Sequence, residues 1–250
     1  MSIINTFDPI SEEILKPSHM VKPIENFPET VIVTFSERIR ELVTTLFPAE
    51  EIGYFRAGIK LPIHAVDYRD KRIGIYMTLV GGSASAGLLE EAIAAGAKKI
   101  LFFGSCGALD KSLCAGHIIV PTEAYRDEGT SYHYLPAGDW IEVKTAEKTA
   151  EILTAFNIPF AAGKTWTTDA IYRETKDNTE KRKCDGCITV EMECASVMAV
   201  AQFRGVECYQ FLYAADCLDG DDWDPRILGQ MPEGAHEKYL RLALEVARRL

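Results

Sequence analysis

The sequence predicts an α/β fold: a single domain around a central, largely parallel or mixed sheet with helices packed on it. Three observations predict it. Short apolar runs rich in β-branched and aromatic residues alternate with segments whose apolar residues recur at helical spacing. Most of those runs are separated by a helical stretch of about ten residues or more, the kind of crossover that parallel strands require. The chain of 250 residues is 47% hydrophobic, which sits at the upper end of what one core supports.

Taken in order, residues 1–29 carry several prolines and little periodicity, so an arm is expected there, lying on the body or on a neighbouring subunit. The domain proper is expected over 30–250. Its strands are read at Thr30–Phe35, Arg72–Val80, Lys99–Phe103, His117–Pro121, Phe160–Trp166 and Cys208–Ala214. Its helices are read at Glu37–Leu46, Ala86–Ala97, Ala146–Phe156, Val190–Phe203 and Ala235–Leu250. In such sheets ligands collect at the carboxyl ends of the strands, so the segments just after Phe103, Pro121, Trp166 and Ala215 are where chemistry is expected.

Composition narrows the function. The formal charge of −10 comes from 37 acidic and 27 basic residues without a long run of either sign, which disfavours nucleic acid and anionic membrane as partners. The N-terminus lacks the basic start and apolar stretch of a signal peptide, so a cytoplasmic protein is expected. Seven cysteines are an odd set in a chain large enough to need no covalent staples, and read as reduced thiols. Cys184 and Cys187 form a single CxxC without a second ligand pair at zinc spacing, so no metal site is expected.

Three segments carry chemistry. Gly104-Ser105-Cys106-Gly107-Ala108 follows the KILFF strand, and its glycines allow N–H groups and the Ser105 hydroxyl to converge on an oxyanion. Gly81-Gly82-Ser83-Ala84-Ser85, before a helix, offers a similar amide-rich end. Val190-Glu191-Met192-Glu193-Cys194-Ala195 is read as the start of a helix. At least one of its two carboxylates then faces inward, where it can accept two hydroxyls of a ribose; the plain alternative is first-turn acid favoured by the helix dipole. Asp216, at the end of the CYQFLYAA strand, is a candidate general acid, because burial beside apolar neighbours raises a carboxyl toward neutrality.

These segments, with DEGTSYHY at 127–134 and TWTTDAIYRET at 165–175, resemble the nucleoside phosphorylase superfamily of purine nucleoside phosphorylases, uridine phosphorylases and related nucleosidases. The resemblance covers roughly residues 30–250. It implies that family's fold and phosphorolysis of an N-glycosidic bond, purine nucleosides preferred, giving free base and ribose 1-phosphate. Inorganic phosphate would be co-substrate, with no other cofactor, and the assembly a homo-oligomer, a dimer or a trimer of dimers. By position it implies Asp216 as the acid that protonates the departing base. Met192 and Glu193 would sit at the ribose, with Glu191 as companion. Trp166 would stack on the base beside Thr167. Ser105, Gly104, Ser83 and Arg38 would hold phosphate, joined by Arg56 from a neighbouring subunit.

Two positions depart from that family's pattern. Phe102 stands where the phosphorylases carry an arginine, and Thr34-Phe35-Ser36-Glu37-Arg38 replaces their Gly-Asp-Pro loop. Thr175 and Asp177 fall where uridine-specific relatives have a glutamine and an arginine. A uridine phosphorylase, a nucleosidase using Glu37 to activate water, and a non-catalytic nucleoside-binding protein therefore remain alternatives.

Overall fold

The computed structural model describes residues 2–250. β1 (Thr30–Thr34) runs parallel to β4 (Lys71–Met77) on one side and to β5 (Lys99–Ala108) on the other. Beyond β4 the sheet continues through the antiparallel strands β3 (Lys60–Tyr68) and β2 (Ala49–Arg56). Beyond β5 it curls. β10 (Glu207–Cys217) lies parallel to β5 and antiparallel to β6 (Ile118–Asp127). β6 pairs with β8 (Phe160–Thr168), β8 with β9 (Cys187–Glu191), and β9 returns antiparallel to β5, closing a five-stranded ring. A short β7 (Trp140–Glu142) adds to the outside of β6.

The closure decides where a crevice forms. β1 pairs with Lys99–Phe103 of β5, and β9 pairs with Gly107 and Ala108 on the same edge. Gly104, Ser105 and Cys106 fall between those two partners, at the point where the sheet divides, and this is where α/β sheets bind ligands.

Alternation along the strands feeds two cores. Val31, Val33, Ile100 and Phe102 point to the face covered by α3 (Gly82–Ala95) and α6 (Cys194–Arg204). Ile32, Leu101, Phe103 and Phe211 point to the face covered by α2 (Glu37–Leu46), α4 (Ala146–Ala155) and α7 (Ala235–Arg249). Val31, Ile32 and Val33 are fully buried, each worth roughly 1.5–3 kcal/mol of transfer free energy. α2 starts where Ser36 Oγ accepts the Ile39 N–H at 3.3 Å, and Ile39, Leu42 and Val43 form its buried stripe.

Several boundaries differ from the sequence reading. β2, β3, β7, β9 and α5 (Lys176–Cys184) were not expected, β2 because Phe55 alone of its side chains is fully buried, leaving little apolar alternation to detect. The segment at Gly104–Ala108 continues as strand rather than turning, since β10 supports it along its whole length. Its glycines serve close approach instead: a Cβ on Gly104 would meet the Phe35 ring at 2.8 Å. The helix read from Val190 begins only at Cys194, because Val190 and Glu191 are held extended between β8 and β5.

The arm before β1 is largely exposed and includes one short helix, α1 (Pro17–Met20). It touches the body where Phe7 packs edge-on against Phe203 and where Glu13 pairs with Arg204 at 2.9 Å. Among the described residues no helix is long and apolar enough to cross a membrane.

Candidate functional site

The VEMEC stretch is a strand-to-helix corner. Glu191 ends β9, and its carboxylate lies 6% exposed beneath the first turn of α6. Its Oε2 accepts the backbone N–H groups of Glu193 and Cys194 at 2.7 and 2.6 Å, and its Oε1 accepts the Thr167 hydroxyl at 2.5 Å. Thr167 Oγ1 accepts the Ala195 N–H at 3.0 Å. One buried acid and one hydroxyl thus satisfy three amides that a helix start leaves without partners. Three donors of its own chain thus engage both Glu191 oxygens, because the corner folds back over it.

Glu193 differs. Its carboxylate crosses to the loop between β4 and α3, where Oε1 accepts the Gly81 N–H at 2.6 Å. Burial raises Glu191 to about 7, and burial followed by the Glu191 charge raises Glu193 to about 8. The donors on Glu191 stabilise its anion, so the proton of the pair resides on Glu193 at neutral pH. Met192, between them, is half-buried. A third buried acid, Glu128 of the DEGTSYHY stretch, accepts the Ser196 hydroxyl of α6 at 2.6 Å and the Ser131 N–H at 3.0 Å.

The ladder between β10 and β5 slips by one residue between Ala214 and Asp216, which sets Asp216 opposite Gly107. Such bulges re-aim side chains. Gly107 pairs on its other edge with Val190, so Asp216 and Val190 lie two strand spacings apart, about 10 Å between backbones. A Cβ on Gly107 would stand 2.6 Å from Leu218 Cδ1, 3.0 Å from Val190 Cγ1 and 3.4 Å from Asp216 Oδ1, so only a glycine lets these three side chains converge over β5. Asp216 is half-buried and burial raises its pKa, opposed by the Trp223 indole N–H, which donates to Oδ2 at 2.8 Å. Glu174, half-buried beyond β8, is raised to about 7 by burial and then by Asp216. The Cys106 thiol is pushed up by burial and then by the charges of Glu191 and Asp216.

Ser105 is exposed to a cavity of ≈ 200 Å³ that it lines with Tyr213, Ala215, Ile227, Met231 and His236. Ser83 is exposed in the first turn of α3, whose preceding Gly81 has φ +104°. A larger cleft of ≈ 350 Å³, lined by Thr30, Lys71 and Lys99, sits at the amino ends of β1, β4 and β5, away from the carboxyl ends where such sheets bind ligands.

The two arginines expected at phosphate are both exposed in this chain. Arg38 is 63% exposed and pairs with Glu41 at 3.1 Å, because the buried stripe of α2 turns positions 38 and 41 to water. Its charge still reaches the cavity rim: burial first, then Arg38, holds the His236 imidazole below its usual range. Arg56 lies over the Tyr54 ring on the outer hairpin, 4.9 Å from its centroid. Phe102 is fully buried.

The base-side expectations also change. Trp166 is 1% exposed, packed with Leu109, Cys187 and Val190, and its N–H donates to Asp127 Oδ2 at 3.0 Å. Thr167, on the opposite side of β8, is taken up by Glu191 and Ala195. Tyr132 is buried within its own chain under the Arg126 guanidinium. Glu128 and Trp223 were missed as candidates; nothing in their local sequence marks them, and only the return of distant segments brings them in. Cys184 is exposed at the end of α5 and Cys187 is buried at the start of β9. Among the described residues no group of three or more His, Cys, Asp or Glu is placed to hold a metal ion.

Comparison with known proteins follows this geometry. Three solved structures superpose over nearly the whole chain, and at their low identity the likeness is one of fold. Purine nucleoside phosphorylase from Toxoplasma gondii in complex with immucillin-H has a TM-score of 0.77 at 21% identity, covering 96% of this chain and 98% of that one. Uridine phosphorylase from Vibrio fischeri ES114 has a TM-score of 0.76 at 19% identity, covering 96% and 100%. AMP nucleosidase from Bacteroides thetaiotaomicron has a TM-score of 0.74 at 16% identity, covering 93% and 92%. By sequence, the chain is 30% identical over 142 residues to an uncharacterized protein of Acanthamoeba polyphaga mimivirus, a match to 56% of this chain and 55% of that protein. It is 26% identical over 153 residues to a DeoD-type purine nucleoside phosphorylase of Bacillus cytotoxicus, a match to 60% of this chain and 65% of that protein. The matched segments thus span less than two thirds of those relatives. The sequence profile described as the phosphorylase superfamily matches residues 30–248, and the chain belongs to that superfamily.

Proposed function

We propose that this chain cleaves the N-glycosidic bond of a purine nucleoside by phosphorolysis, releasing the free base and ribose 1-phosphate. The observation that carries this reading is Asp216: a half-buried carboxyl of raised pKa at the carboxyl end of β10, opposite Gly107 and two strands from the Glu191–Glu193 corner. Scission leaves positive charge on the sugar and negative charge on the base, so a proton donor on the base side lowers the barrier by an amount typical of general acids, about 10²–10⁴ in rate. Glu193, protonated at neutral pH and held by the backbone of Gly81 and Met192, both donates to and accepts from sugar hydroxyls. Ser105 and His236 line the cavity beside Ala215 and receive the phosphate, whose oxygen bonds to the anomeric carbon as the bond to the base breaks. Inorganic phosphate is then the co-substrate and no metal or other cofactor takes part.

The uridine alternative is less well supported. Thr175 caps α5, its Oγ1 accepting the Asn178 N–H at 3.5 Å, and Asp177 sits exposed in the first turn, so neither is free to grip uracil. A hydrolytic nucleosidase is the second reading. It is favoured by the burial of Phe102 and the outward pairing of Arg38, which leave Ser105 without an arginine of its own chain. Against it, Glu37 pairs with Arg40 at 3.2 Å and is 72% exposed, far from the setting of a water-activating base. We place the enzyme in the cytoplasm as a homo-oligomer, in which an arginine such as Arg56 enters a neighbour's site.

The test is release of base from inosine, guanosine, adenosine and uridine, with and without phosphate. Phosphate-dependent release from purine nucleosides is expected. Equal release without phosphate would install the hydrolytic reading, and no turnover of any nucleoside would leave a binding protein.

A further inference from the structure

The loop after β10 folds back over the strand that produced it. Cys217 and Asp224 form an antiparallel bridge with two backbone hydrogen bonds, 2.9 Å from Cys217 N to Asp224 O and 3.0 Å from Asp224 N to Cys217 O. Arg226 fastens the base of the loop: its Nε donates to Asp224 Oδ2 at 3.1 Å and its guanidinium also bonds the Leu113 carbonyl. The residue before the bridge is Trp223. Its ring is 59% exposed, so burial does not hold it in place; its polar anchor is the N–H on Asp216 Oδ2 at 2.8 Å. The other oxygen, Oδ1, is directed toward Gly107, 3.4 Å from where a side chain would begin.

We propose that Trp223 is a positioning residue for Asp216, its indole N–H holding Oδ2 so that Oδ1, on the side of Gly107, alone carries the transferable proton. This rests on the reading of Asp216 as the acid of nucleoside cleavage. An indole N–H only donates, so it engages an oxygen that has no proton. The proton therefore sits on Oδ1. In the reaction the Oδ1–H bond breaks as a ring nitrogen of the base gains that proton. The electron pair of the C–N bond goes to the base, and phosphate oxygen bonds to the anomeric carbon. Asp216 leaves the step as an anion whose Oδ2 keeps its hydrogen bond, now charge-assisted and stronger. The donor thus stabilises the product state of the acid more than its reactant state.

Four groups face Asp216 besides Trp223: Glu174 from beyond β8, Cys106 on β5, and Asp224 and Arg226 on the loop itself. Trp223→Phe keeps a ring and loses the donor. Without the N–H the Asp216 anion is less stable, its pKa rises further, and the alkaline limb of the kcat/KM profile moves to higher pH. The variant is expected to lose about tenfold in kcat on a purine nucleoside with little change in KM. It should stay within about twofold of the parent on a 7-methylpurine nucleoside, whose base is already cationic while attached and departs neutral on taking the C–N electron pair, with no proton needed. An equal loss on both substrates, or an unmoved pH profile, would overturn the proposal. Tryptophan fluorescence supplies a readout free of turnover. The parent emission should titrate with Asp216, and the transition should vanish in Trp223→Phe and in Asp216→Asn while persisting in Glu174→Gln. Persistence of that transition in Asp216→Asn would overturn the positioning role by itself. Full activity of Asp216→Asn with the transition lost would instead remove the acid assignment while leaving the Trp223 contact intact.

Discussion

The carboxylate of Glu193 accepts the backbone N–H of Gly81 at 2.6 Å, joining two segments 112 residues apart. The corner that starts α6 and the loop that starts α3 are thereby held edge to edge.

Glu193→Gln tests both the proton and the sugar. A folded pKa of about 8 against an ordinary 4.5 means that the folded state holds a proton the unfolded chain has released. The stability this contributes is complete below about pH 4.5 and is lost as pH rises through about 8. Glutamine does not titrate, so the melting temperature of the variant minus that of the parent should grow between pH 5 and pH 9, by an amount on the order of a few kcal/mol in stability. A difference that stays constant with pH would show that Glu193 does not titrate in this range. In assays the variant should raise KM for nucleoside.

Glu191→Ala should act on folding before it acts on chemistry. It strips the Thr167 hydroxyl and the Glu193 and Cys194 amides of their acceptor in a buried corner. A loss of roughly 2–5 kcal/mol is expected in chemical denaturation. Stability equal to the parent, with a raised KM alone, would return Glu191 to the sugar.

Gly82→Ala is expected to destabilise by more than its one methyl group suggests. A Cβ at that position would lie 2.2 Å from Ser196 Oγ, and Ser196 is fully buried and donates to Glu128. Either the hydroxyl moves and Glu128 loses a donor, or α3 withdraws from α6. About 1–3 kcal/mol is expected by thermal or urea unfolding. A neutral result would mean that the two helices are not packed this closely.

Asp216→Asn should lower purine nucleoside cleavage by about a hundredfold or more while leaving the unfolding midpoint within a few degrees of the parent. The side chain is half-buried and its backbone stays in the β10–β5 ladder, so the amide is tolerated. Turnover like that of the parent would remove Asp216 from the mechanism.

Much of this arrangement is legible in the residues. Glu37–Leu46 is bounded correctly at both ends because the Ser36 cap and the Ile39, Leu42, Val43 stripe are local signals. The buried strands at Thr30, Lys99, Phe160 and Cys208 declare themselves as apolar runs, and the acid at the end of the last of them follows from its position alone. Side-chain destinations were not legible in the same way. Trp166 and Glu191 have the composition of ligand-binding residues and became internal structure, because ring closure through β8, β9 and β5 turned one inward and folded a helix start over the other.

By itself, then, the sequence determined the α/β class, the order of its main elements and the strand ends where chemistry gathers, since those depend on periodicity and capping within about ten residues. Only the tertiary structure decided which of two neighbouring glutamates closes a helix and which faces the crevice, that Arg38 pairs outward, and that Trp223 returns to Asp216. Those outcomes depend on contacts between residues far apart in the chain, and burial rather than residue type then sets the proton on each acid.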